Sequence, residues 1–319
     1  MTVAWVLGSG GLLGAAVCRV LRAKGIELFA PAQRFNWDSA LLLPDQMAEA
    51  VKAFALKASA TDRWEIYWAA GIGTMSSSAE TVAPETRALS LLLGLLESEA
   101  PLLARPGVIL FASSAGSIYA GSPDDIITEA SAPAPTTVYA NEKIKQEDMV
   151  RGFVLANPSA AAVIARISTL YGPGQAAGKR QGLLGHIARC ILSNQPIHIY
   201  VPYDTIRDYI DADDAAAIIV GLSRRTGLKS RVLIKIVASE CPVSIAEIIG
   251  IFKRVAWRTP RVIRVANRMS DLYSRRIQFR STVFLDGYNI APKRLPVGIC
   301  RVMMAESLEH RRGGQQSLR

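Results

Sequence analysis

The sequence contains few of the residues that metal centres and disulfide networks need. Its 319 residues include four cysteines and three histidines, and no cysteine pair has CxxC spacing. Neither a zinc site nor a set of disulfide bonds is therefore predicted, and we expect no bound metal. Apolar runs are also short, because none reaches the roughly 18 residues of a membrane-spanning helix. The first residues lack the basic start and apolar centre of a signal peptide, so the expected location is the cytoplasm.

Acidic residues are scarce only towards the C-terminal end of the chain. Residues 252–319 contain 15 Lys or Arg against 4 Asp or Glu, and they account for the formal net charge of +10. Such an excess attracts anionic substrates or acidic partners, but a solvated basic face would have the same composition. Nucleic-acid binding is not predicted, because no recognition motif accompanies the basic residues.

A glycine-rich segment follows a short apolar run at the start of the chain. The residues AWVLGSGGLLG place Gly8, Gly11 and Gly14 at GxxGxxG spacing, and apolar residues continue at helical spacing to Leu21. A strand, a tight turn and a helix in this order let the backbone approach a pyrophosphate, which the N–H groups at the helix start can bind. The segment predicts a dinucleotide site that includes Leu12; a glycine-rich hairpin or a plain strand-to-helix turn is the alternative.

The residues after the second predicted strand bear on the choice between NAD and NADP. Lys24 and Gly25 end the first helix, and a strand is predicted over residues 26–30. An acidic residue at the end of this strand would bind the ribose 2′-hydroxyl of NAD, and none is present. Arg34 could neutralise the 2′-phosphate of NADP, or it could be an ordinary surface residue. We expect NAD or NADP as the cofactor, with NADP slightly favoured.

Strands and helices alternate along the first half of the chain. A helix over residues 39–57 precedes a strand over residues 64–68, which leads into Ala69, Ala70 and Gly71. These small residues leave room for a flat ring or a ribose, or they form a simple turn. A helix from Pro84 to residue 97 and a strand over residues 108–112 follow. This alternation predicts an α/β fold with a Rossmann-like doubly wound parallel sheet.

A tyrosine and a lysine lie one helical turn apart after the strand that runs into Ser113 and Ser114. Tyr139 and Lys143 have YxxxK spacing, which puts a phenol and an ammonium on one face of a helix. The ammonium is predicted to lower the pKa of the phenol, and a nicotinamide cation would lower that pKa further. A serine hydroxyl could hold the reacting oxygen while the phenol moves its proton. The group predicts interconversion of an alcohol and a carbonyl beside a hydride carrier, whereas YxxxK alone would indicate a surface helix.

The segments LGSGGLLG, FASSAGSIYAG and VYANEK together resemble the extended short-chain dehydrogenase/reductases, the NAD-dependent epimerase/dehydratase family, which acts mainly on nucleotide sugars. The similarity continues through RISTLYGPG and RDYI, and it covers about residues 3–250. The resemblance implies that Gly8, Gly11 and Gly14 bind the cofactor pyrophosphate. The catalytic residues that it implies are Ser114 (with Ser113 as the alternative), Tyr139 as the acid/base, and Lys143, which holds the ribose and tunes Tyr139.

The candidate site residues are thus of three kinds. The catalytic set is Ser114, Tyr139 and Lys143. The cofactor-binding set is Gly8, Gly11, Leu12, Gly14, Arg34, Ala69, Ala70, Gly71, Tyr139 and Lys143. The substrate-binding set is Ser114, Ser168, Arg207 and Arg280. Arg207 suits a diphosphate, although an ion pair with Asp208 or Asp211 is the alternative.

Departures from the family pattern narrow the expected activity. Dehydratases and decarboxylases of the family usually have an acid just after the catalytic hydroxyl, whereas this chain has Ala115 and Gly116. Epimerisation or ketone reduction is therefore favoured over dehydration. Ser168 stands where relatives often have a substrate-binding asparagine, and the helix after Pro84 contains no asparagine, so the identity of the sugar is not predicted.

We predict a dinucleotide-binding domain over residues 1–168, to which residues 206–238 return, and a substrate-binding lobe formed mainly by residues 169–319. In the lobe we expect a helix over residues 181–192, a strand over residues 197–201, a capping box from Ser244 to Glu247, and a frayed basic tail from about residue 309. A further strand is expected over residues 232–237, within the segment that returns to the dinucleotide-binding domain. The favoured function is a nucleotide-sugar epimerase or 4-ketoreductase, and a homodimer is expected. The alternative is an idle dinucleotide sensor or scaffold with a basic C-terminus that binds a partner.

Overall fold

The computed structural model describes residues 1–173, 182–223, 231–265, 276–283 and 291–316. The strands are β1 (Thr2–Leu7), β2 (Glu27–Phe29), β3 (Arg63–Trp68), β4 (Gly107–Ser114), β5 (Ala160–Ile167), β6 (Thr169–Tyr171), β7 (Ile197–Ile199), β8 (Ile206–Arg207), β9 (Tyr209–Asp211), β10 (Val232–Val237), β11 (Val243–Ser244) and β12 (Val262–Arg264). The helices are α1 (Leu12–Ala23), α2 (Leu42–Ser59), α3 (Ala79–Glu97), α4 (Ala100–Leu103), α5 (Ala115–Ile118), α6 (Val138–Ala156), α7 (Leu183–Leu192), α8 (Ala212–Ser223), α9 (Ile245–Ala256) and α10 (Leu295–Gln316).

Six parallel strands form the central sheet, in the order β10-β5-β4-β3-β1-β2. The middle strands are apolar and buried on both faces, as expected of a parallel sheet that helices cover on both sides. Trp5 and Leu7 point into a core formed with α2, α3 and α6. Ala4 and Val6 point into a second core, formed with α1 and α8. The predicted doubly wound α/β fold is confirmed.

The strand order places the candidate site. A single strand, β2, lies beyond β1, and α2 connects β2 to β3 on the other side of β1. The chain therefore winds outward from β1 in both directions, and the crevice between the carboxyl ends of β1 and β3 is the topological switch point. Ligands of open α/β sheets bind outside such a crevice.

A third apolar core lies outside the central sheet. It is formed by side chains of β6, α7, β7, β9, α9 and α10, with Ile187, Phe252 and Ile299 fully buried. The chain returns from this region to the sheet at β10, which pairs with β5 along its whole length. The capping box that opens α9 is confirmed, since Ser244 and Glu247 exchange side-chain to backbone hydrogen bonds.

Most predicted elements differ from the structure by one to three residues at an end, and three differences affect the interpretation. Helix α3 begins at Ala79, so Pro84 lies inside it, where it removes one helical hydrogen bond. The predicted helix over residues 181–192 begins at Leu183, and Gln181 lies outside the described residues. The prediction of a frayed tail from about residue 309 is wrong, because α10 continues to Gln316. The buried side chains of Ile299 and Val302 anchor this helix.

The long helices α2, α3, α6 and α10 carry charged side chains along their length. Within the ranges given above, no helix combines the length and apolar character that a bilayer crossing requires.

Candidate active site

The glycine segment forms a tight turn between β1 and α1. Gly8 has a φ of +83°, and a Cβ on it would lie 2.5 Å from the carbonyl oxygen of Ala69. A Cβ on Gly14 would overlap the carbonyl oxygen of Gly8. The Gly11 N–H donates to the Gly8 carbonyl oxygen at 2.9 Å and closes the turn. The glycines are therefore required for the close approach of β1, α1 and the end of β3.

The start of α1 has the properties of an anion-binding site. The helix begins at Leu12, and its first turn contains no acidic residue. The first N–H groups of a helix have no partner within the helix, and the helix dipole adds a partial positive charge there. Three of the residues in this turn, Gly8, Gly10 and Gly11, have no side chain, so a ligand can approach the backbone there. These residues fit the pyrophosphate of a dinucleotide.

A cavity of about 200 Å³ lies beside this turn, at the carboxyl ends of β3, β4 and β5. Seven of the sequence-predicted site residues line it: Ala69, Ala70, Gly71, Ser114, Tyr139, Lys143 and Ser168. Its other lining residues are Gly73, Glu85, Ala112, Ser113, Ile167 and Leu170. The structure therefore brings together residues that are far apart in the chain.

Tyr139 is held at the first turn of α6. The Thr137 hydroxyl caps this helix by accepting the Ala140 N–H at 3.2 Å. The Tyr139 ring packs on Gly73, where a Cβ would be only 2.9 Å from the ring. Tyr139 and Ser114, the last residue of β4, line the same cavity.

The pKa of Tyr139 differs from its prediction. Burial raises this pKa above its ordinary value, the Glu85 carboxylate raises it further, and the Ser114 hydrogen bond lowers it. The prediction that Lys143 lowers the Tyr139 pKa is therefore wrong for this structure. The physical reason is that burial and a nearby anion both favour the neutral phenol.

Lys143 is buried and surrounded by polar partners. Its side chain is 6% exposed, and its Nζ lies 5.7 Å from the centre of the Tyr139 ring. The ammonium donates to Gln146 Oε1 at 3.0 Å and lies 3.8 Å from Glu85 Oε2. Burial lowers the pKa of Lys143, whereas the carboxylates of Glu85 and Glu147 raise it.

Glu85 is the charged residue of this cavity that the sequence analysis missed. Its side chain is 8% exposed, and its Oε1 accepts the N–H groups of Ile72 and Gly73, the latter at 2.6 Å. It therefore joins α3 to the loop that follows β3. The signal in the sequence is the glutamate immediately after Pro84, in a helix that contains no asparagine.

The two serines at the end of β4 have different environments. The Ser113 hydroxyl donates to Glu147 at 2.6 Å, and Glu147 forms a bidentate ion pair with Arg166. Successive side chains of a strand point to opposite sides, so Ser114 faces Tyr139 while Ser113 does not. Of the two alternatives for the third catalytic position, the geometry favours Ser114.

The remaining predicted contacts lie at the margin of the cavity or outside it. Ser168 lines it, but its hydroxyl donates to Asp208, a buried carboxylate that also accepts from Ser239. Arg207 donates to its neighbouring Ile206 carbonyl oxygen at 2.7 Å. Arg34 and Arg280 are exposed, and these three arginines do not line the cavity. Their roles stay predictions.

The sequence model of the NAD dependent epimerase/dehydratase family matches residues 4–233, most of the chain. The chain belongs to this family. The matched range includes the glycine turn, Ser114, Tyr139 and Lys143.

Two characterised relatives share part of the sequence. A dTDP-L-rhamnose 4-epimerase from Burkholderia thailandensis is 32% identical over 94 residues, which are 29% of this chain and 26% of that protein. A dTDP-4-dehydro-6-deoxyglucose reductase from Escherichia coli is 33% identical over 106 residues, 33% of each chain. The matched stretches thus span about a quarter to a third of the relatives' length.

Solved structures resemble the fold over almost its full length. The structure of RMD from Pseudomonas aeruginosa, complexed with NADPH, has a TM-score of 0.78 and 18% identity, and the match covers 97% of this chain and 100% of that one. The UDP-glucose 4-epimerase of Thermus thermophilus, complexed with NAD, has a TM-score of 0.75 and 19% identity, covering 96% of this chain and 99% of that one. At these identities the similarity concerns the fold.

Proposed function

We propose that this protein is an NAD(P)-dependent enzyme that transfers hydride at a carbon of a nucleotide sugar, as a 4-epimerase or a 4-ketoreductase. The observation that carries the proposal is the convergence of Ser114, Tyr139 and Lys143 on one cavity beside the glycine turn. The relatives named as a 4-epimerase and a reductase of dTDP-sugars support this substrate class.

The cofactor would be held by residues at the switch point. Gly8, Gly11, Leu12 and Gly14 would bind its pyrophosphate, and Ala69, Ala70 and Gly71 would leave room for its ribose and ring. Lys143 would bind the nicotinamide ribose. When bound, the nicotinamide supplies or accepts the hydride. Arg34 is the basis for the slight preference for NADP over NAD.

The proton would be handled by Tyr139. Its phenol gives a proton to a carbonyl oxygen or takes one from a hydroxyl, and Ser114 orients that oxygen through its own hydroxyl. The Ser113–Glu147–Arg166 chain fixes the strand end from beneath. Lys143 faces both Tyr139 and Glu85, so it links the acid/base to a second charged group.

The lobe formed mainly by residues 169–319 would bind the sugar nucleotide. Residues 206–238 would return from it to the dinucleotide-binding domain. Ser168, Arg207 and Arg280 are its candidate contacts. We keep a cytoplasmic homodimer as part of this proposal. A catalytically idle sensor is less well supported, since a sensor has no use for a buried tyrosine, lysine and serine around one cavity.

The proposal is tested by incubating the protein with a panel of UDP-, GDP- and dTDP-sugars, each with NAD and with NADPH. Absorbance of the reduced nicotinamide is followed, and the sugars are separated afterwards. A reductase consumes reduced cofactor in proportion to product, whereas an epimerase converts the sugar without net change in cofactor. If the cofactor binds, as measured by fluorescence, but is not consumed and no sugar is converted, the result would favour the catalytically idle sensor.

A further inference from the structure

Ser168 lines the candidate active-site cavity, and its hydroxyl already donates a hydrogen bond within the protein. The residue directly follows β5, and its Oγ donates to Asp208 Oδ1 at 2.5 Å. The Ser168 backbone N–H donates to the carbonyl oxygen of Val237 at 2.9 Å, which fixes the main chain as well. Ser168 is 7% exposed and Asp208 is 1% exposed. The side chain of Ser168 is therefore held in one orientation at the wall of the cavity.

The partners of Asp208 fix the direction of this hydrogen bond. Its Oδ1 also accepts the Ser239 N–H at 2.9 Å, and its Oδ2 accepts the Cys241 N–H at 3.2 Å and the Ser239 hydroxyl at 2.8 Å. An ionised carboxylate has about four acceptor sites and no donor, so four donors satisfy it. Turning the Ser168 proton towards the cavity would leave one of these sites unsatisfied in a buried place, which is costly.

The oxygen of the Ser168 hydroxyl keeps its capacity to accept. A serine hydroxyl combines one donor with two acceptor lone pairs, and no donor from the described ranges reaches this oxygen. Ser168 can therefore offer a ligand an acceptor but no donor. A hydroxyl of a bound sugar can donate to it. A keto, carboxylate or phosphate oxygen would place acceptor against acceptor, with the Asp208 carboxylate on the far side of the serine.

We propose that Ser168 is a specificity-determining residue that accepts a hydrogen bond from a sugar hydroxyl at a carbon that does not react. This inference rests on the proposed function and names the group that this wall of the cavity recognises. Ser114 and Tyr139 would bind the reacting oxygen, and Ser168 would bind a hydroxyl that keeps its proton. A sugar without that hydroxyl leaves a buried acceptor without a donor, so the site selects against it.

Deoxyfluoro analogues of the nucleotide sugar test the direction of this hydrogen bond. Fluorine is close in size to a hydroxyl group, but it cannot donate a hydrogen bond. The UDP-, GDP- or dTDP-sugar that reacts is compared with analogues fluorinated one at a time at its other carbons, by calorimetric titration of the cofactor-loaded protein. The wild type should bind one analogue about tenfold more weakly than the parent sugar. Ser168→Ala should bind that analogue and the parent with affinities within about threefold of each other.

Ser239→Ala is the matched control for disturbance around Asp208. It removes another hydroxyl donor from the same carboxylate, and Ser239 does not line the cavity. This variant should keep the tenfold discrimination of the wild type. Circular dichroism checks that both variants fold, and the wild-type titrations decide the direction of the hydrogen bond even where a variant does not.

Two results would overturn the inference while the proposed function stands. One is equal affinity of the wild type for the parent sugar and for every fluorinated analogue. The other is a tenfold loss that persists at the same carbon in Ser168→Ala, because the hydroxyl would then donate to another group. If no nucleotide sugar binds or reacts, the proposed function itself fails, and the role of Ser168 fails with it.

Discussion

Individual atoms decide whether the turn between β1 and α1 can form. A Cβ on Gly14 would overlap the Gly8 carbonyl oxygen, whereas a Cβ on Gly10 would have no neighbour within 4 Å. The two glycines stand in the same segment, yet one is needed for packing of the helix start and the other is not.

We therefore expect Gly14→Ala to lower the free energy of unfolding by about 1–3 kcal/mol, because backbone must move to admit the methyl group. Chemical denaturation measures this loss, and fluorescence titration should show weaker cofactor binding. Gly10→Ala is the matched control and should leave the unfolding free energy almost unchanged. Equal stability of the two variants would contradict the close packing of Gly14.

Tyr139 and Lys143 could be predicted as a pair because one turn of helix fixes their spacing. Glu85 could not be added to them, since its approach depends on how α3 lies against α6 and on the loop at Ile72 and Gly73. The choice between Ser113 and Ser114 likewise required the alternation of side chains along β4 and the position of Glu147. Residue types were readable from sequence, whereas burial and charge around the phenol were not.

At the level of elements, a buried ion pair joins α6 to β5. Glu147 and Arg166 are both buried, and two hydrogen bonds connect them. Removal of one partner from such a pair leaves an uncompensated charge in the interior.

Glu147→Ala should therefore lower the free energy of unfolding by about 3–5 kcal/mol. Asp148→Ala provides the comparison, because the Asp148–Arg151 pair is on the surface and its removal should change stability by about 1 kcal/mol or less. Urea denaturation of both variants measures the difference. Similar losses would show that the buried pair contributes no more than the exposed one.

The capping box of α9 makes a separate prediction. Ser244→Ala should lower the unfolding free energy by about 1 kcal/mol at neutral pH, since the Ser244 hydroxyl accepts the Glu247 N–H. Ser90→Ala on the exposed side of α3 serves as the control and should change stability little.

The pH dependence of this cap follows from Glu247. Hydrogen bonds from Ser244 hold the pKa of Glu247 below its ordinary value of 4.5. A carboxyl with a lowered folded-state pKa stabilises the fold above its ordinary pKa, and that contribution is lost as the pH falls through the folded-state value. Denaturation at neutral pH and below pH 4.5 should show this loss for the wild type. A Glu247→Gln variant should lose less stability than the wild type over the same pH interval, because Glu129 and Asp213, whose pKa values are also lowered, still titrate.

For the molecule as a whole, the alternating order of strands and helices was sufficient to predict the doubly wound sheet. The position of β2 as the single strand beyond β1 could not be predicted. Nothing in residues 30–41 indicates that α2 returns the chain to the other side of β1, where β3 pairs with it. Helix α10 was missed for a related reason. Its stability comes from Ile299 and Val302 packing against α7 and α9, and polar, basic residues near its end read as an exposed tail.

The uneven charge of the whole chain has a measurable consequence if residues 252–319 attract the anionic substrate. Between about 0.1 M and about 1 M salt the Debye length falls from about 10 Å to about 3 Å, so KM for a nucleotide sugar should rise several-fold while kcat stays nearly constant. Circular dichroism at each salt concentration controls for unfolding. A KM that does not depend on salt would favour the alternative of a solvated basic face.

The central claim is that Tyr139 moves the proton in a hydride transfer, and Tyr139→Phe tests it most directly. The variant keeps the ring that packs on Gly73 and loses only the hydroxyl. Turnover of the nucleotide sugar should fall by a factor of about 10² to 10⁴, while the affinity for NAD or NADPH, measured by fluorescence titration, should stay within about twofold. Turnover equal to that of the wild type, with the cofactor still bound, would contradict the account.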